Sequence, residues 1–386
     1  MPEQVLFVDD DPSLLDGLKR MLRSKRNSWE MTFASNAAEA LASMQTLCYD
    51  VVVSDMRMPD ISGAQLLSEV KKICPRSVRI ILSGQADLDL IVTAIGATHQ
   101  YLSKPCDAEM IKMVVDRACR SRDVLPSNDL RELVSQISSL QCQASHLARL
   151  QRECSSGSPS LAVLIEILST DIGMSAHVLQ LVNSAFFGVH RSVTSVFEAV
   201  EILGIDVIRK LVLAENVFSS VSSSPALDSL VQELNVHSVE TAKLCRHFAK
   251  LEKVESRCEE YYTAALLHDV GRLIFLTAYP QKYCEMMTSI EMTEAEFCIK
   301  EREIFGGAHP EVGAYLLTLW GIPVGIEEAV CTHHSHLSDI FDLVSAVQMA
   351  DYITYMLAGS SQAKHFDLTH LRKHGLEGRI SEWQKH

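Results

Sequence analysis

The sequence predicts a two-part chain in which an α/β unit with a parallel sheet is followed by an all-α unit. Four short apolar runs in the first third each lead into polar residues, and these runs are Val5–Val8, Val51–Val53, Arg79–Leu82 and Tyr101–Leu102. Such runs are typical of strands that are buried on both faces of a parallel sheet. From about residue 160 onward, period-2 alternation is almost absent, and consecutive helical patterns are separated by Gly, Pro and Ser. That second pattern predicts helices.

The polar residues at the strand ends form a set that suits phosphoryl transfer to a carboxylate. Asp9 and Asp10 follow the first run, Asp55 the second, Ser83 the third and Lys104 the fourth. The carboxyl ends of parallel strands lie at one edge of a sheet, so these side chains are expected to meet. Paired carboxylates can hold a water-carrying Mg²⁺, which lets a third carboxylate approach an anionic phosphoryl group. A serine hydroxyl can donate to a phosphoryl oxygen, and a lysine can pair with its charge.

Residues 1–122 resemble the receiver domain of bacterial two-component response regulators over its whole length. The resemblance is carried by Val8-Asp9-Asp10-Asp11, Ser54-Asp55-Met56-Arg57-Met58-Pro59, Leu82-Ser83-Gly84 and Lys104-Pro105. It implies a flavodoxin-like fold with a five-stranded parallel sheet. It also implies that a sensor histidine kinase or a phosphotransfer protein supplies the phosphoryl group.

The same resemblance implies roles for individual residues. Asp55 would be the phosphoacceptor, and Asp10 and Asp55 would be direct Mg²⁺ ligands, with Asp9 acting nearby or through water. The backbone carbonyl of Arg57 would complete the protein's share of the coordination. The residues that would bind the phosphoryl group or move on phosphorylation are Ser83 and Tyr101, as the switch pair, with Lys104 and Pro105, as a cis peptide.

Composition and charge narrow the classes of function. The 386 residues are 47% hydrophobic and 22% charged, which is ordinary for a globular chain of two or three domains. Residues 1–125 carry 17 acidic and 15 basic residues (net −2), and the rest carries 32 and 20 (net −12). An acidic second half matches the DNA backbone poorly, so a DNA-binding output is not expected. No stretch has the length of a membrane span, and eleven cysteines without CxxC pairs indicate thiols in a reducing cytoplasm.

Residues 123–154 are predicted to be a helical linker. Apolar residues recur there at alternating steps of four and three, namely Leu133, Ile137, Leu140, Ala144 and Leu147. This spacing favours a short parallel coiled coil that would pair two chains in a homodimer. An amphipathic helix packed on its own domain has the same pattern over so short a length, so both interpretations stand.

The helical half contains a constellation of histidines and aspartates. Its members are His237, His268, Asp269, His309, His333, His334 and Asp351. Imidazole and carboxylate together form a ligand set that suits Fe, Mn or similar divalent ions inside a helical bundle. Adjacent His268 and Asp269 place both side chains at one helix end, where they can share or bridge a metal.

Residues 155–355 resemble the HDOD domain, a relative of the metal-dependent HD phosphohydrolases, and a polar, helical tail, residues 356–386, follows. The matching motifs are Leu181–Gly188, Val236–Ser238, Ala265–Gly271, Glu301–Gly306, His309–Gly313, His333-His334 and Met349–Asp351. The first motif distinguishes HDOD domains from catalytic HD domains. Its Asn183 and Ser184 are expected to tie helix ends together, because polar side chains in an apolar helix need hydrogen-bond partners.

The resemblance implies that His237, His268, Asp269 and Asp351 correspond to the HD tetrad, with His309 and His333 or His334 completing a second site. Three departures argue against turnover. Arg272 stands where HD-GYP hydrolases usually carry Lys, Ser335 stands where a Glu is usual, and the sequence has no Gly-Tyr-Pro motif. Hydrolysis of cyclic di-GMP is therefore not expected.

Two functions follow from these patterns. The favoured one is a regulatory output in which phosphorylation of Asp55 controls how the helical half binds an unidentified protein partner. The alternative is a phosphorylation-controlled, metal-dependent phosphohydrolase that acts on a nucleotide or cyclic dinucleotide through the His/Asp cluster.

Overall fold

A computed structural model provides the structure, and it describes residues 2–84, 94–183, 192–213, 217–218, 225–289, 292–334 and 341–358. The N-terminal part is a parallel sheet with the order β2-β1-β3-β4-β5. Its strands are β1 (Glu3–Val8), β2 (Trp29–Ala34), β3 (Val51–Asp55), β4 (Val78–Gly84) and β5 (Gln100–Lys104). The helices described around it are α1 (Pro12–Met21), α2 (Ala37–Met44), α3 (Gly63–Ile73) and α4 (Ala108–Val124). The predicted five-stranded α/β fold is confirmed.

Local sequence explains where these elements start. The central strand β3 is buried at all five positions, as its β-branched composition predicts. Helix α3 starts at a capping box in which Ser62 and Gln65 satisfy each other's backbone N–H groups. The next residue, Gly63, approaches β3 so closely that a Cβ atom would lie 2.0 Å from the carbonyl oxygen of Asp55. Glycine is therefore required for this approach.

The linker is not one helix. It contains α5 (Asn128–Ser135) and α6 (Ala144–Cys154), and residues 136–143 between them are not helical. Leu140 is completely buried, and its backbone N–H donates to Nε2 of His177 at 3.2 Å. The predicted coiled-coil seam is wrong, because the helix is interrupted at residues 136–143 and two of the seam residues, Leu140 and Leu147, are buried inside the chain. The argument for a homodimer that rested on the seam is lost with it.

The described remainder of the chain is helical, as predicted. Its helices are α7 (Leu161–Leu168), α8 (Ile172–Asn183), α9 (Val196–Leu213), α10 (Pro225–Leu251), α11 (Cys258–Leu267), α12 (Val270–Ala278), α13 (Pro280–Ser289), α14 (Glu294–Phe305), α15 (His309–Leu319), α16 (Val324–Thr332) and α17 (Leu343–Leu357). Asn183 exchanges hydrogen bonds with the backbone of Val193, with distances of 2.7 and 2.8 Å. Its predicted structural role is confirmed, whereas Ser184 lies outside the described residues.

The two parts of the chain pack together along β5 and α4. The Gln100 amide of β5 donates to the carbonyl oxygens of Thr318 and Leu319 at 3.3 and 2.9 Å, at the C-terminal end of α15. Carbonyls in the last turn of a helix lack the amide partner that the next turn would supply, so Gln100 of the α/β part helps to cap α15, where the Thr318 carbonyl also accepts the N–H of Gly321 at 3.1 Å. Arg117 of α4 forms an ion pair with Glu327 of α16, at 2.8 Å.

Two further findings concern cysteines and membrane segments. Cys48 and Cys74 are joined in a disulfide with a Cα–Cα distance of 5.9 Å, so the expectation of free thiols is wrong for this pair. The other nine cysteines form no disulfide in the part of the chain that the structure describes. Within the described ranges, no single helix has the length and apolarity to cross a membrane; α7 and α8 together pass that test by length and composition, but they are bent by 114°.

Candidate functional site

Strand register brings the predicted phosphorylation site together at one edge of the sheet. Asp55 lies opposite Leu82, and the next residue, Ser83, lies opposite Ser103. Lys104 follows Ser103, and its ammonium group lies 2.7 Å from Oδ2 of Asp9 and also hydrogen-bonds Oδ1 of Asp55. The other carboxylate oxygen of Asp55 accepts the backbone N–H of Arg57 at 2.5 Å. The Lys104-Pro105 peptide is cis.

Negative charge exceeds positive charge in this site. Burial raises the pKa of Asp55, and its hydrogen bond to Lys104 opposes that rise. Burial also works against the charge of Lys104, but Asp55 and Asp9 raise its pKa. Lys104 contacts Asp9 and Asp55, and the third predicted carboxylate, Asp10, is exposed beside them in the sequence, so three carboxylates and one ammonium group give a formal charge of about −2. Such an oxygen-rich, anionic set fits Mg²⁺.

The predicted switch residues lie beneath this edge. Ser83 and Tyr101 are both 1% exposed. Burial raises the pKa of Tyr101, so its hydroxyl stays neutral and polar inside the core. Tyr101 directly follows Gln100, the residue that caps α15.

Six helices bring the seven predicted His and Asp residues to one buried cluster. His237 lies on α10, His268 and Asp269 join α11 to α12, and Asp351 lies on α17. The remaining three are His309, His333 and His334, from the start of α15 and the end of α16. Gly271 permits this convergence, because a Cβ atom there would lie 1.9 Å from the carbonyl oxygen of His309.

Oδ2 of Asp269 faces one half of the cluster, which we call the tetrad subsite and define as His237, His268, Asp269 and Asp351. Nε2 of His268 lies 3.5 Å from Oδ2 of Asp269 and 3.5 Å from Oδ1 of Asp351. Nε2 of His237 hydrogen-bonds the same Asp351 oxygen at 2.8 Å. Two imidazoles and two carboxylates therefore surround one small volume.

Oδ1 of Asp269 faces the other half, which we call the histidine subsite and define as Asp269, His309, His333 and His334. Nε2 of His309 lies 3.3 Å from this oxygen, and Nε2 of His333 lies 3.8 Å from it. The four residues each present one ligand atom, and these atoms lie within 4.8 Å of one another.

Three of the histidines are oriented by oxygens on the side away from the cluster. Nδ1 of His268 donates to the carbonyl oxygen of Ala265 at 2.6 Å, and Nδ1 of His333 donates to that of Val330 at 2.7 Å. Nδ1 of His309 donates to the carboxylate of Glu301 at 2.7 Å. This arrangement holds the ring and directs Nε2 inward, as in histidines that bind metals.

Buried polar atoms without hydrogen bonds show that the cluster fits a metal ion. Within the described part of the chain, no hydrogen-bond partner is found for six buried atoms of the cluster and its rim: Nε2 of His268, His309, His333 and His334, Oδ2 of Asp269 and Oε1 of Glu294. A buried polar atom without a partner costs about 1–3 kcal/mol, so six such atoms in one place call for a ligand. Borderline divalent ions such as Fe²⁺ and Mn²⁺ suit these nitrogen and oxygen donors.

Burial and charge set the protonation of these groups. Burial lowers the pKa of His334 to about 3 and that of His333 well below its ordinary value, which keeps both in the neutral form that binds metals. Burial also disfavours charge on His268, but Asp269 and Asp351 outweigh it and raise its pKa to about 9. Despite burial, Arg272 and His268 hold the pKa of Asp269 well below its usual range.

Sequence reasoning missed two acidic residues of the site and treated Arg272 only as a departure from a motif. Nε of Arg272 donates to Oδ1 of Asp269 at 2.9 Å, and its terminal nitrogen pairs with Glu294. Glu294 also lies 3.3 Å from Nε2 of His334. Glu301, beneath His309, falls in a quoted motif, but no signal in the sequence marks Glu294, which is the first residue of an ordinary capped helix.

A large cavity adjoins the tetrad subsite. Its volume is about 990 Å³, and His237 and Tyr355 lie at its edge, with their rings stacked at 4.2 Å. Farther along α10, Lys243, Arg246 and Lys250 line the same cavity. Pockets of this size hold ligands as large as nucleotides.

Comparison with known proteins divides the chain in the same way. A family model described as "HDOD domain" matches residues 140–336, and one described as "Response regulator receiver domain" matches residues 5–116. The transcriptional regulatory protein GlrR of Escherichia coli (strain K12) is 32% identical over 153 residues, which cover 39% of this chain and 33% of GlrR. The DNA-binding transcriptional regulator NtrC of the same strain is 30% identical over 169 residues, 42% of this chain and 34% of NtrC.

The chain thus spans about a third of the length of these curated relatives. Among solved structures, the MmoQ response regulator from Methylococcus capsulatus str. Bath is 24% identical and has a TM-score of 0.47. That match covers 64% of this chain and 97% of MmoQ.

Proposed function

This chain belongs to the HDOD domain family and, with its receiver domain, is a two-component response regulator; from that premise we propose that phosphorylation of Asp55 controls a metal-containing HDOD output domain. The phosphoryl group would come from a sensor histidine kinase or a phosphotransfer protein. The output domain would act through a protein partner, whose binding depends on the state of Asp55.

The observation that carries this proposal is the link between β5 and α15. Strand β5 ends at Lys104, which contacts Asp55, and begins at Gln100, which caps the last turn of α15. Helix α15 begins at His309, a member of the seven-residue His/Asp cluster. One strand and one helix therefore connect the phosphoacceptor to the output centre through direct contacts, and packed elements of this kind carry coupling between sites.

Phosphorylation would act on this link through charge. A phosphoryl group on Asp55 would compete with the carboxylates for Lys104 and would offer Ser83 an oxygen to which its hydroxyl can donate. Both contacts would favour a different position of β5, and Gln100 would carry that change to α15. Mg²⁺ would be held by Asp10 and Asp55, by Asp9 nearby and by the carbonyl of Arg57, and it would offset the negative charge of the incoming group.

In the output domain, a divalent ion of the Fe or Mn type would be held by members of the seven-residue cluster. The ion would satisfy the buried nitrogen and oxygen atoms that have no described partner. It would thereby fix the relative positions of α10, α15, α16, α17 and the junction of α11 with α12, which supply the members of the cluster. We assign it a structural or sensing role, because Arg272 takes the place of the usual lysine of HD hydrolases.

Amide hydrogen exchange tests the proposal directly. The metal-loaded protein is treated with a small phosphodonor and Mg²⁺, and exchange of residues 309–322 is compared with that of the untreated protein and of an Asp55→Asn variant. We expect exchange at the C-terminal end of α15 to change in the wild type only. Identical exchange in modified and unmodified protein would contradict the proposal.

A second candidate function, metal-dependent phosphohydrolysis, is favoured by the cavity beside His237. Lys243 pairs with Glu240, and Arg246 lies 3.4 Å from Glu259, so the basic side chains there are partly neutralised. The test is a panel of nucleotides and cyclic dinucleotides with added Mn²⁺ or Fe²⁺. Turnover that is lost in Asp269→Ala would support the second function over the regulatory one.

A further inference from the structure

The two carboxylate oxygens of Asp269 are used differently. Oδ2 faces the tetrad subsite and has no hydrogen-bond partner among the described residues. Oδ1 faces the histidine subsite and accepts a hydrogen bond from Nε of Arg272 at 2.9 Å. A guanidinium group cannot lose its proton in a protein, so one side of Asp269 already has a permanent cation.

Arg272 is held firmly in this position. The residue is 2% exposed, and its guanidinium group pairs with Asp269 on one side and with Glu294 on the other. The same group lies 4.8 Å from the centre of the Phe297 ring, where a cation–π contact adds to its attachment. The cation is therefore part of the buried structure.

We propose that Arg272 takes the place of a second metal ion, so that the output centre binds one divalent cation, in the tetrad subsite. This inference rests on the proposed metal centre and specifies its composition. It makes Arg272 the residue that decides the number of ions, while the histidine subsite is left to water or stays open to a neutral ligand.

Charge and ligand number favour different subsites. The histidine subsite offers the larger set of converging ligand atoms, four within 4.8 Å. However, the three imidazoles of this subsite carry no negative charge. Glu294, the carboxylate next to His334, is already paired with Arg272. In the tetrad subsite, the ion-pair partners of Asp351 among the described residues are histidines, and Oδ2 of Asp269 has no hydrogen-bond partner there, with only His268 nearby at 3.5 Å. Because a fixed cation repels a divalent ion strongly at low dielectric, charge decides the outcome.

Metal stoichiometry tests the inference with the full chain. The protein is stripped with a chelator, reloaded with Mn²⁺ and freed of unbound ion in buffer with excess Mg²⁺, which keeps Mn²⁺ out of the receiver site, and the Mn²⁺ content per chain is measured together with the electron paramagnetic resonance spectrum. We expect one Mn²⁺ per chain with the signal of an isolated ion. Binding of a second ion should be roughly a hundredfold weaker. Two ions per chain with a coupled signal would overturn the inference and leave the metal centre standing, whereas no bound ion would overturn both.

Variants of Arg272 test whether its positive charge limits the output centre to one ion. Arg272→Gln removes the charge and keeps an amide that can donate to Asp269, and it is expected to bind a second Mn²⁺. Arg272→Lys keeps the charge and should stay at one ion. A single ion in folded Arg272→Gln would contradict the role of the charge.

Two histidine variants give an answer even if Arg272→Gln fails to fold. His237→Ala, in the tetrad subsite, should lower Mn²⁺ affinity at least tenfold. His334→Ala, in the histidine subsite, should leave the stoichiometry at one ion and change the affinity far less. The opposite ranking would place the ion in the histidine subsite and refute the inference.

Discussion

The receiver site and the output cluster both place a tethered cation against an aspartate, but they do so in different surroundings. Lys104 is 27% exposed and shared between Asp9 and Asp55, whereas Arg272 is 3% exposed and clamped between Asp269 and Glu294. A partly exposed lysine on a flexible stem can move to a new anion, and a buried, stacked guanidinium cannot do so easily. The receiver site is therefore suited to reversible binding of a phosphoryl group, and the output cluster to a permanently bound ion.

The two sites also differ in how far their buried polar atoms are satisfied by hydrogen bonds. Both carboxylates at the receiver edge have hydrogen-bond donors, Lys104 and backbone N–H groups. The output cluster leaves buried nitrogen and oxygen atoms without described partners. A change in the receiver redistributes existing hydrogen bonds, while the output centre gains bonds only when a ligand enters.

The largest effect should come from removing the carboxylate that we propose as the acceptor of the phosphoryl group. Asp55→Asn is expected to abolish labelling by a small phosphodonor, because an amide cannot form an acyl phosphate in its place. Intact-mass spectrometry measures the added group, and Asp60→Asn, which alters an exposed aspartate nearby, is the control. Labelling that persists in Asp55→Asn would show that another residue is the acceptor.

Acid should lower the free energy of unfolding through His177, a fully buried histidine that accepts the N–H of Leu140. Burial lowers the pKa of His177 to about 4, whereas an unfolded histidine titrates near 6.5. As pH falls from about 6.5 to 4, the unfolded chain takes up the proton first, so this stability is present above pH 6.5 and is lost below it. The loss should reach about 3 kcal/mol.

Urea unfolding of the metal-free protein at several pH values measures this loss. His177→Gln should flatten the slope between pH 6.5 and 4, because glutamine does not titrate. His146→Gln, which changes a partly exposed neighbour, is the control. An unchanged slope in His177→Gln would show that His177 does not stay neutral in the folded protein. Buried His99, whose pKa is lowered in the same direction, contributes equally to all three proteins.

Metal removal should affect the output cluster and spare the receiver. An ion at a hundred times its dissociation constant should stabilise the folded protein by about 2.7 kcal/mol, through mass action. Denaturation with and without a chelator, using Mn²⁺ as the added ion, measures the difference. Asp269→Asn should lose most of it, and exposed Glu303→Gln should keep it. Equal stabilisation in Asp269→Asn would place the bound ion outside the cluster.

The smallest effect concerns the contact that joins the two regions. Gln100→Ala removes the amide that caps α15, and we expect the coupling between phosphorylation and Mn²⁺ affinity to fall by about 1 kcal/mol, roughly fivefold in affinity. Titration of Mn²⁺ into modified and unmodified protein measures it. Exposed Gln45→Ala should leave the coupling intact. Coupling that survives in Gln100→Ala would assign the link to other contacts, such as that of Arg117.

The sequence by itself determined the parallel sheet, the helical output half and the seven His and Asp residues that converge in that half. Those features depend on short-range patterns: β-branched runs make strands, and polar residues at their carboxyl ends must share an edge. His268 and Asp269 are adjacent in the chain, so their joint role is also visible locally. The wrong prediction of a coiled coil shows the limit of such patterns. The spacing of apolar residues indicates that they will be buried, but it does not indicate which surface will cover them.

Only the tertiary structure decided which groups meet across long separations. Gln100 contacts α15 more than 200 residues farther along the chain, and Arg272 meets Glu294 through the packing of two helices. Neither contact has a sequence motif, since each depends on where whole elements lie after the core has formed. The charge of the buried cluster is set in the same way. The His and Asp residues can be recognised in the sequence, but only the packing of the helices shows that Arg272 lies beside Asp269.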